Sequence, residues 1–215
     1  MGGEERKPIH LNPATELAER VLLPGDPQRA LAMAQALLES PRMFNTRRGL
    51  WGYTGVAFDG KAVTIQATGI GGPSAAIVVA ELQALGLRRA VRIGRAWAID
   101  GTLRAGELVA ATAVVGADGA SRTLAGAALL EPDPALTGAL AADRSGVLAS
   151  ADVPEPDPAW KALAFDLESA AVLAAAARSG VAAACLVSIE GAVDPDDVAE
   201  RLGRGALPAL APVRR

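Results

Sequence analysis

The chain has 215 residues, of which 51% are hydrophobic and 21% are charged, and this length suits one well-packed α/β domain. Its net charge of −3 provides no general attraction to nucleic acid or to an acidic membrane surface. No apolar run reaches the roughly 18 residues that span a bilayer, and the polar N-terminus lacks the apolar core of a secretory signal. We therefore expect one domain over residues 1–215, located in the cytoplasm, with neither nucleic acid nor membrane as a partner.

The first part of the chain predicts a strand, a helix and a strand pair. Residues 21–23 form a short apolar strand that ends at the turn sequence Pro24-Gly25-Asp26-Pro27. From Arg29 onward, the sequence RALAMAQALLE has the apolar spacing of a helix. Arg29 lies in the first turn, where a cation opposes the helix dipole, so it is either a solvated surface residue or the partner of an anion. Residues 45–68 predict paired strands with a hairpin turn at Asp59-Gly60.

A glycine-rich turn between a strand and a helix is the most informative stretch. Residues 63–65 predict a buried strand, residues 75–82 predict a helix, and the connection reads Thr68-Gly69-Ile70-Gly71-Gly72-Pro73-Ser74. Glycines allow a sharp turn with close approach to a ligand, and free N–H groups at a helix start bind anions. The same pattern also joins strands to helices without any ligand, so local physics leaves both interpretations open.

The second half of the chain alternates strands with helices. Residues 90–94 predict a strand with Arg92 inside it, and an arginine buried there requires an anionic partner, either a carboxylate or a bound ligand. This alternation predicts one α/β domain with a parallel or mixed sheet. The other predicted strands are residues 107–115, 146–150 and 182–189. The predicted helices are residues 122–145 with a break at the prolines, 169–179, and a last one from Asp194 to about Leu202. The segments predicted to be irregular are residues 1–19, the proline-rich loop 152–158 and the frayed tail 211–215.

Five motifs occur in a fixed order along residues 10–190. The longest is Gly69-Ile70-Gly71-x-Pro73-Ser74-x-Ala76-Ile77-x-x-x-Glu81-Leu82. The others are Leu23-Pro24-Gly25-Asp26-Pro27-x-Arg29, Arg48-Gly49 with Gly52-Tyr53-Thr54-Gly55, Arg92-Ile93-Gly94, and Leu167-Glu168-Ser169-Ala170. Together they resemble the nucleoside phosphorylases of the type that includes hexameric purine nucleoside phosphorylase and uridine phosphorylase.

The resemblance implies a three-layer α/β/α fold with a central mixed sheet. It also implies phosphorolysis, in which phosphate cleaves the N-glycosidic bond of a purine or pyrimidine nucleoside to give a free base and a pentose 1-phosphate. Phosphate is then a co-substrate, and neither a metal nor an organic cofactor is required. A homo-oligomer built from dimers, commonly a hexamer, is implied because Arg48 and His10 match residues that complete a neighbour's site.

The same resemblance carries site residues onto this chain. It implies that guanidinium groups converge on one phosphate, which they bind by paired hydrogen bonds. A glutamate then binds the ribose hydroxyls and stabilises the positive charge that develops on the sugar. The implied residues are Gly25, Arg29, Arg48, Arg92 and Arg95 for phosphate, Glu168, Leu167, His10 and Thr68 for ribose, Trp97, Phe165 and Glu190 for the base, and Arg92 and Glu190 for catalysis.

Three departures from the family pattern concentrate at the base end. Arg95-Ala96-Trp97 replaces a small hydroxyl residue followed by glycine, and Val153-Pro154-Glu155 replaces an aromatic residue that stacks on the base. Ile189 stands where the purine enzymes have the aspartate that protonates the base, so Glu190 either takes that role or caps a turn. Arg95 either adds a cation to the phosphate site or blocks it. A paralogue that binds a nucleoside or anion without turnover is therefore the alternative, and hydrolysis by water ranks last because the phosphate arginines are present.

Overall fold

A computed structural model of the chain describes residues 8–126 and 128–211, which alternate strands and helices. The predictions of an irregular start at residues 1–7 and a frayed tail at residues 212–215 lie outside the described residues. The strands are β1 (Arg20–Pro24), β2 (Leu38–Asn45), β3 (Gly52–Ala57), β4 (Ala62–Gln66), β5 (Arg89–Ala98), β6 (Leu108–Gly116), β7 (Leu129–Leu130), β8 (Arg144–Ser150), β9 (Ala164–Asp166) and β10 (Ala182–Ile189). The helices are α1 (Pro27–Leu37), α2 (Gly72–Ala84), α3 (Gly119–Ala125), α4 (Pro134–Gly138), α5 (Ser169–Arg178) and α6 (Pro195–Ala206), and short 3-10 turns cover Arg47–Gly49, Pro158–Trp160 and Leu207–Leu210.

The strands form one mixed sheet in the order β10-β6-β8-β9-β5-β1-β4-β3-β2, with β7 beside β6. At its centre, β5 runs parallel to both β1 and β10. A direct pairing of β5 with β10, together with the antiparallel pairing of β5 with β9, closes strands β5, β10, β6, β8 and β9 into a ring. Because β1, β5 and β10 are parallel neighbours, their C-terminal ends meet at one edge, where open α/β sheets place their sites.

Helices cover both faces of the sheet, so the predicted three-layer α/β/α fold with a mixed sheet is confirmed. Helices α2 and α5 pack together, with α3 beside α5, and they bury Val78, Leu82 and Val172 against one face. Helices α1 and α6 pack on the other face, where they bury Met33 and Leu202.

Three elements lie close to their predicted bounds, because their boundaries are encoded locally. Helix α1 begins after Asp26, whose side chain accepts a hydrogen bond from the backbone N–H of Gln28 at 2.8 Å. The hairpin between β3 and β4 turns at Asp59-Gly60 as expected. Strand β10 spans residues 182–189 as predicted.

The helical prediction for residues 122–145 is largely wrong. Helix α3 ends at Ala125 because Gly126 adopts a left-handed conformation, with φ of 64°. A two-residue strand, the short helix α4 and the beginning of β8 occupy the rest of the segment. The composition is rich in alanine and leucine, but the glycine and the prolines at 132 and 134 divide it.

Two further boundaries differ from the prediction and both affect the site. Helix α1 ends at Leu37, and the next residue already begins β2, which was not predicted from the helical periodicity of residues 29–39. Strand β5 continues to Ala98, so Arg95 and Trp97 belong to the strand itself. Since they are two positions apart in a strand, their side chains lie on the same face.

Candidate functional site

A cavity of about 420 Å³ opens at the C-terminal ends of β1, β5 and β10. The turn that precedes α2 and the segment between β9 and α5 complete its walls. Its lining residues are Gly25, Asp26, Pro27, Arg29, Gly69, Ile70, Arg92, Arg95, Trp97, Leu167, Glu168 and Glu190. The cavity therefore brings together eight of the residues that the sequence nominated: Gly25, Arg29, Arg92, Arg95, Trp97, Leu167, Glu168 and Glu190.

Arg92 lies at the bottom of this cavity with only 2% of its surface exposed. Its Nη2 donates to Oε2 of Glu168 at 2.5 Å and to Oδ2 of Asp166 at 3.3 Å, and its Nη1 donates to the carbonyl of Ile93. Burial alone lowers the pKa of Arg92, but the carboxylates of Glu168 and Asp166 outweigh burial and raise that pKa above its ordinary value. The anionic partner that the sequence required is thus a pair of carboxylates.

Gly94 makes room for this guanidinium. A Cβ added at Gly94 would overlap both Nη1 and Nη2 of Arg92. A glycine is therefore needed two positions after the arginine, because a side chain there would collide with the guanidinium. The spacing of Arg92-Ile93-Gly94 in the sequence has its physical reason here.

Glu168 is held at both carboxylate oxygens. Oε2 accepts from Arg92, and Oε1 accepts from the backbone N–H of Gly71 at 2.9 Å. Gly71 has φ of 83° and precedes α2, whose positive dipole end favours a carboxylate. The glycine turn therefore orients this acid, and the neighbouring Leu167 lines the cavity beside it.

Asp166 was missed by sequence reasoning, although it stands two positions before Glu168. It is 1% exposed, and its carboxylate accepts from the hydroxyls of Ser150 and Ser169, both at 2.6 Å. These bonds orient the oxygen that accepts from Arg92. Asp166 ends the buried strand β9, where an acid needs charged or polar partners, but no strand was predicted over these residues.

Arg29 projects into the cavity from the first turn of α1. Burial lowers the pKa of Arg29 to about 10, and the nearby cations Arg92 and Arg95 add to that effect. Within the described parts of the chain, no acid lies within 4.0 Å of its guanidinium and no hydrogen bond satisfies it. A partly buried, unpaired cation beside two others provides an attractive site for an anion.

Arg95 and Glu190 form a second ion pair in the same cavity. Nη1 of Arg95 donates to Oε1 of Glu190 at 2.8 Å, with side chains that are 48% and 33% exposed. The backbone N–H of Glu190 donates to the carbonyl of Ala96 at 2.8 Å, which places the residue next to β5. In this arrangement the Glu190 carboxylate accepts a hydrogen bond and donates none.

An aromatic wall closes one side of the cavity. The ring of Trp97 stacks on that of Phe165 with centroids 5.2 Å apart and planes at 29°. The Trp160 ring is tilted against Phe165, with centroids 5.7 Å apart and planes at 56°. Trp97 is 38% exposed, whereas Phe165 is 2% exposed. Phe165, which the resemblance assigned to the base, therefore does not line the cavity. Its buried ring instead packs against the ring of Trp97.

Three nominated residues besides Phe165 lie away from the cavity lining. Thr68 is buried beneath the glycine turn, where its backbone N–H donates to the carbonyl of Pro24 at 2.8 Å. Arg48 is exposed on a short turn with φ of 60°. His10 contacts Glu81, with Nδ1 of the histidine 2.7 Å from Oε1 of the acid.

Glu81 also had no role in the sequence analysis beyond its place in the longest motif. Its carboxylate accepts from the backbone N–H groups of Ile9, His10 and Leu11 at 2.8–3.0 Å. It therefore attaches the N-terminal segment to α2. With Nδ1 of His10 beside this carboxylate, Nε2 is the nitrogen left to contact another group.

Within residues 8–126 and 128–211, no group of three or more His, Cys, Asp or Glu side chains is arranged to hold a metal ion. In the same part of the chain, no helix has the length and apolar character needed to cross a membrane.

Comparison with known proteins identifies the family. Residues 19–206 match the model of the phosphorylase superfamily. DeoD-type purine nucleoside phosphorylases are 44% identical over 86 residues in Oceanobacillus iheyensis, 40% over 105 residues in Geobacillus kaustophilus and 41% over 97 residues in Clostridium perfringens. These alignments cover 40%, 48% and 45% of this chain and 36%, 44% and 41% of the relatives, so the chain spans less than half of the curated relatives that it matches. The chain belongs to the phosphorylase superfamily, and its predicted membership of the nucleoside phosphorylases is confirmed.

Proposed function

We propose that this protein is a nucleoside phosphorylase, a pentosyltransferase that cleaves the N-glycosidic bond of a nucleoside with inorganic phosphate. The observation that carries the proposal is one cavity that is lined both by the unpaired cation Arg29 and by the firmly held carboxylate of Glu168. The cation suits a phosphate, and the carboxylate suits the hydroxyls of a pentose. The names of the relatives, all purine nucleoside phosphorylases, agree with this pairing.

At the phosphate end, Arg29 is the primary ligand because, unlike Arg92 and Arg95, it forms no ion pair with a carboxylate of the described residues. Gly25 lies at the end of β1, where the turn before α1 runs along the cavity wall. Arg92 lies at the bottom of the same cavity, but its two acids balance its charge, so Arg29 is the main source of attraction for the anion. A guanidinium binds phosphate through paired hydrogen bonds, which positions the attacking oxygen.

At the sugar end, Glu168 performs two tasks. Each of its oxygens uses one lone pair for Arg92 or Gly71 and retains another to accept from a ribose hydroxyl. As the bond from the anomeric carbon to the base breaks, its electron pair leaves with the base, and positive charge develops on the sugar. The carboxylate stabilises that charge while a phosphate oxygen forms the new bond to carbon.

At the base end, the exposed face of Trp97 offers a surface on which a purine or pyrimidine ring stacks. Phe165 and Trp160 hold this ring in place. We place purine nucleosides first among the substrates to be tested because the relatives are purine enzymes. The reaction uses phosphate as co-substrate and requires no metal or organic cofactor.

We further propose a homo-oligomer built from dimers, with a hexamer as the expected assembly. His10 and Arg48 do not line the cavity of their own chain, so they serve catalysis only if they reach a neighbour's site. The attachment of residues 9–11 to Glu81 fixes His10 with Nε2 directed to other partners. Light scattering combined with size-exclusion chromatography tests this, and a fully active monomer would contradict it.

A panel of nucleosides incubated with and without phosphate tests the proposed activity. We expect release of free base from at least one nucleoside only when phosphate is present. Arg29→Gln should reduce kcat/KM for phosphate by about a hundredfold, since a charge-assisted contact is lost. Arg204→Gln is the matched control, because Arg204 pairs with Glu200 on the exposed face of α6, away from the cavity.

A second candidate is a binding protein without turnover. It is favoured by the lack of an evident proton donor for the base among the described residues that line the cavity. The Glu190 carboxylate accepts a hydrogen bond from Arg95, and Ile189 stands where the purine enzymes place their acid. Saturable nucleoside binding with no product in the phosphate assay would support this candidate.

A further inference from the structure

Two arginine–glutamate pairs border the cavity, and they differ in how firmly they are held. In the Arg92–Glu168 pair both side chains are buried, and Asp166 and Gly71 supply additional bonds. In the Arg95–Glu190 pair there is a single contact at 2.8 Å, and no other side-chain bond is found for either partner within the described residues. The second pair is therefore the one that opens easily, because exposed ion pairs are weak.

Glu190 cannot move far from the cavity. Its backbone N–H is bound to the carbonyl of Ala96, and the two preceding residues of β10 pair with Arg95 and Ala96 of β5. Its carboxylate is also close enough to influence Arg29, together with the cations Arg92 and Arg95. The Glu190 backbone is therefore fixed, and its carboxylate stays within reach of the guanidinium groups that would bind an anion.

We propose that Glu190 is an internal competitor of phosphate: its carboxylate occupies Arg95 and must release it before Arg95 binds the anion. This inference rests on the proposed function and names a determinant of its phosphate affinity. A carboxylate and a phosphate present similar oxygens to a guanidinium, so both cannot use the same N–H groups. A carboxylate left nearby also repels the incoming anion.

A competitor of phosphate and a general acid have different kinetic signatures at position 190. A general acid donates a proton to the departing base, so its removal lowers kcat and leaves the KM for phosphate unchanged. A competitor of phosphate has the opposite signature, because its removal lowers the KM for phosphate. The split between kcat and KM therefore distinguishes the two roles in an active enzyme.

Isothermal titration of inorganic phosphate into the full chain tests the proposal without a nucleoside. We expect Glu190→Gln to bind phosphate roughly 1.5- to fivefold more tightly than wild type, the range that an exposed ion pair corresponds to. Glu200→Gln is the matched control, because Glu200 forms a pair of the same kind with Arg204, at 2.7 Å, on the exposed face of α6. Arg95→Gln should bind phosphate more weakly than wild type.

The phosphate titration tests this inference whether or not the protein cleaves a nucleoside. Tighter phosphate binding by Glu190→Gln supports the inference even if no nucleoside is cleaved. Unchanged or weaker binding overturns it even if phosphorolysis is rapid, as does unchanged binding by Arg95→Gln. If neither wild type nor Glu190→Gln binds phosphate, the cavity is not an anion site and the inference fails. Glu190→Ala replaces the glutamine variant if the latter does not fold.

Discussion

Arg92 and Glu168 are 76 positions apart in the chain, yet Nη2 of the arginine donates to Oε2 of the glutamate at 2.5 Å. The residue assigned to phosphate and the residue assigned to sugar therefore compensate each other's charge at the bottom of one cavity. Each would be costly to bury alone. This coupling means that a change at either end of the site is transmitted to the other.

Asp166→Asn tests the support beneath this pair. We expect the free energy of unfolding to fall by about 2–4 kcal/mol, because an amide cannot accept at both positions from Ser150, Ser169 and Arg92. Urea unfolding measures the change. Glu200→Gln is the control, since Glu200 pairs with Arg204 at 2.7 Å on the exposed face of α6. A loss no greater than that of the control would contradict the role of Asp166.

Arg29→Met tests whether the Arg29 charge lowers the stability of the fold while it enables anion binding. The Arg29 charge is disfavoured by burial and by Arg92 and Arg95, as its pKa of about 10 indicates, so its removal should raise the free energy of unfolding by about 1 kcal/mol. Added phosphate should stabilise wild type and leave the variant unaffected. Thermal melts with and without phosphate provide the measurement. An equal phosphate shift in both proteins would show that Arg29 does not bind the anion.

Glu81→Gln tests the attachment of the N-terminal segment. Burial alone raises the pKa of Glu81, but hydrogen bonds from His10 and Ile9 outweigh burial and hold that pKa below 4.5. Its stabilisation is therefore present above pH 4.5 and is lost as the pH falls through the lowered value. We expect the variant to be less stable by about 1–2 kcal/mol at neutral pH.

Denaturant unfolding across the acid range provides the measurement. The difference between wild type and Glu81→Gln should shrink as the pH falls below 4.5, because wild-type Glu81 then gains a proton. Glu200→Gln, on the exposed face of α6, should show no comparable dependence. A difference that stays constant with pH would contradict the account.

Local signals were enough to predict where Gly25 and Arg29 lie, at the junction of β1 and α1. Gly25 and Arg29 follow a short apolar strand and a proline-rich turn, and both signals act over a few residues. The length of β5 could not be predicted in the same way. Its last residues owe their extended form to pairing with β9 and β10, which come from distant parts of the sequence.

The ion-pair partners of the charged residues could not be predicted from the sequence either. The sequence required an anion for Arg92 but left open whether it was a carboxylate or a ligand, and Asp166 was not considered. Likewise, nothing local indicates that Glu190 lies beside Arg95, because the register of β10 on β5 brings them together. Motifs identify the residues, whereas the strand order decides which charges meet.

The most direct test of the account is phosphorus NMR of the full chain incubated with inosine, other nucleosides and inorganic phosphate. We predict that a pentose 1-phosphate signal grows in equal amount with the free base, and that Arg29→Gln suppresses both. Release of base without any pentose 1-phosphate, or no reaction with any nucleoside, would contradict phosphorolysis as the function of this cavity.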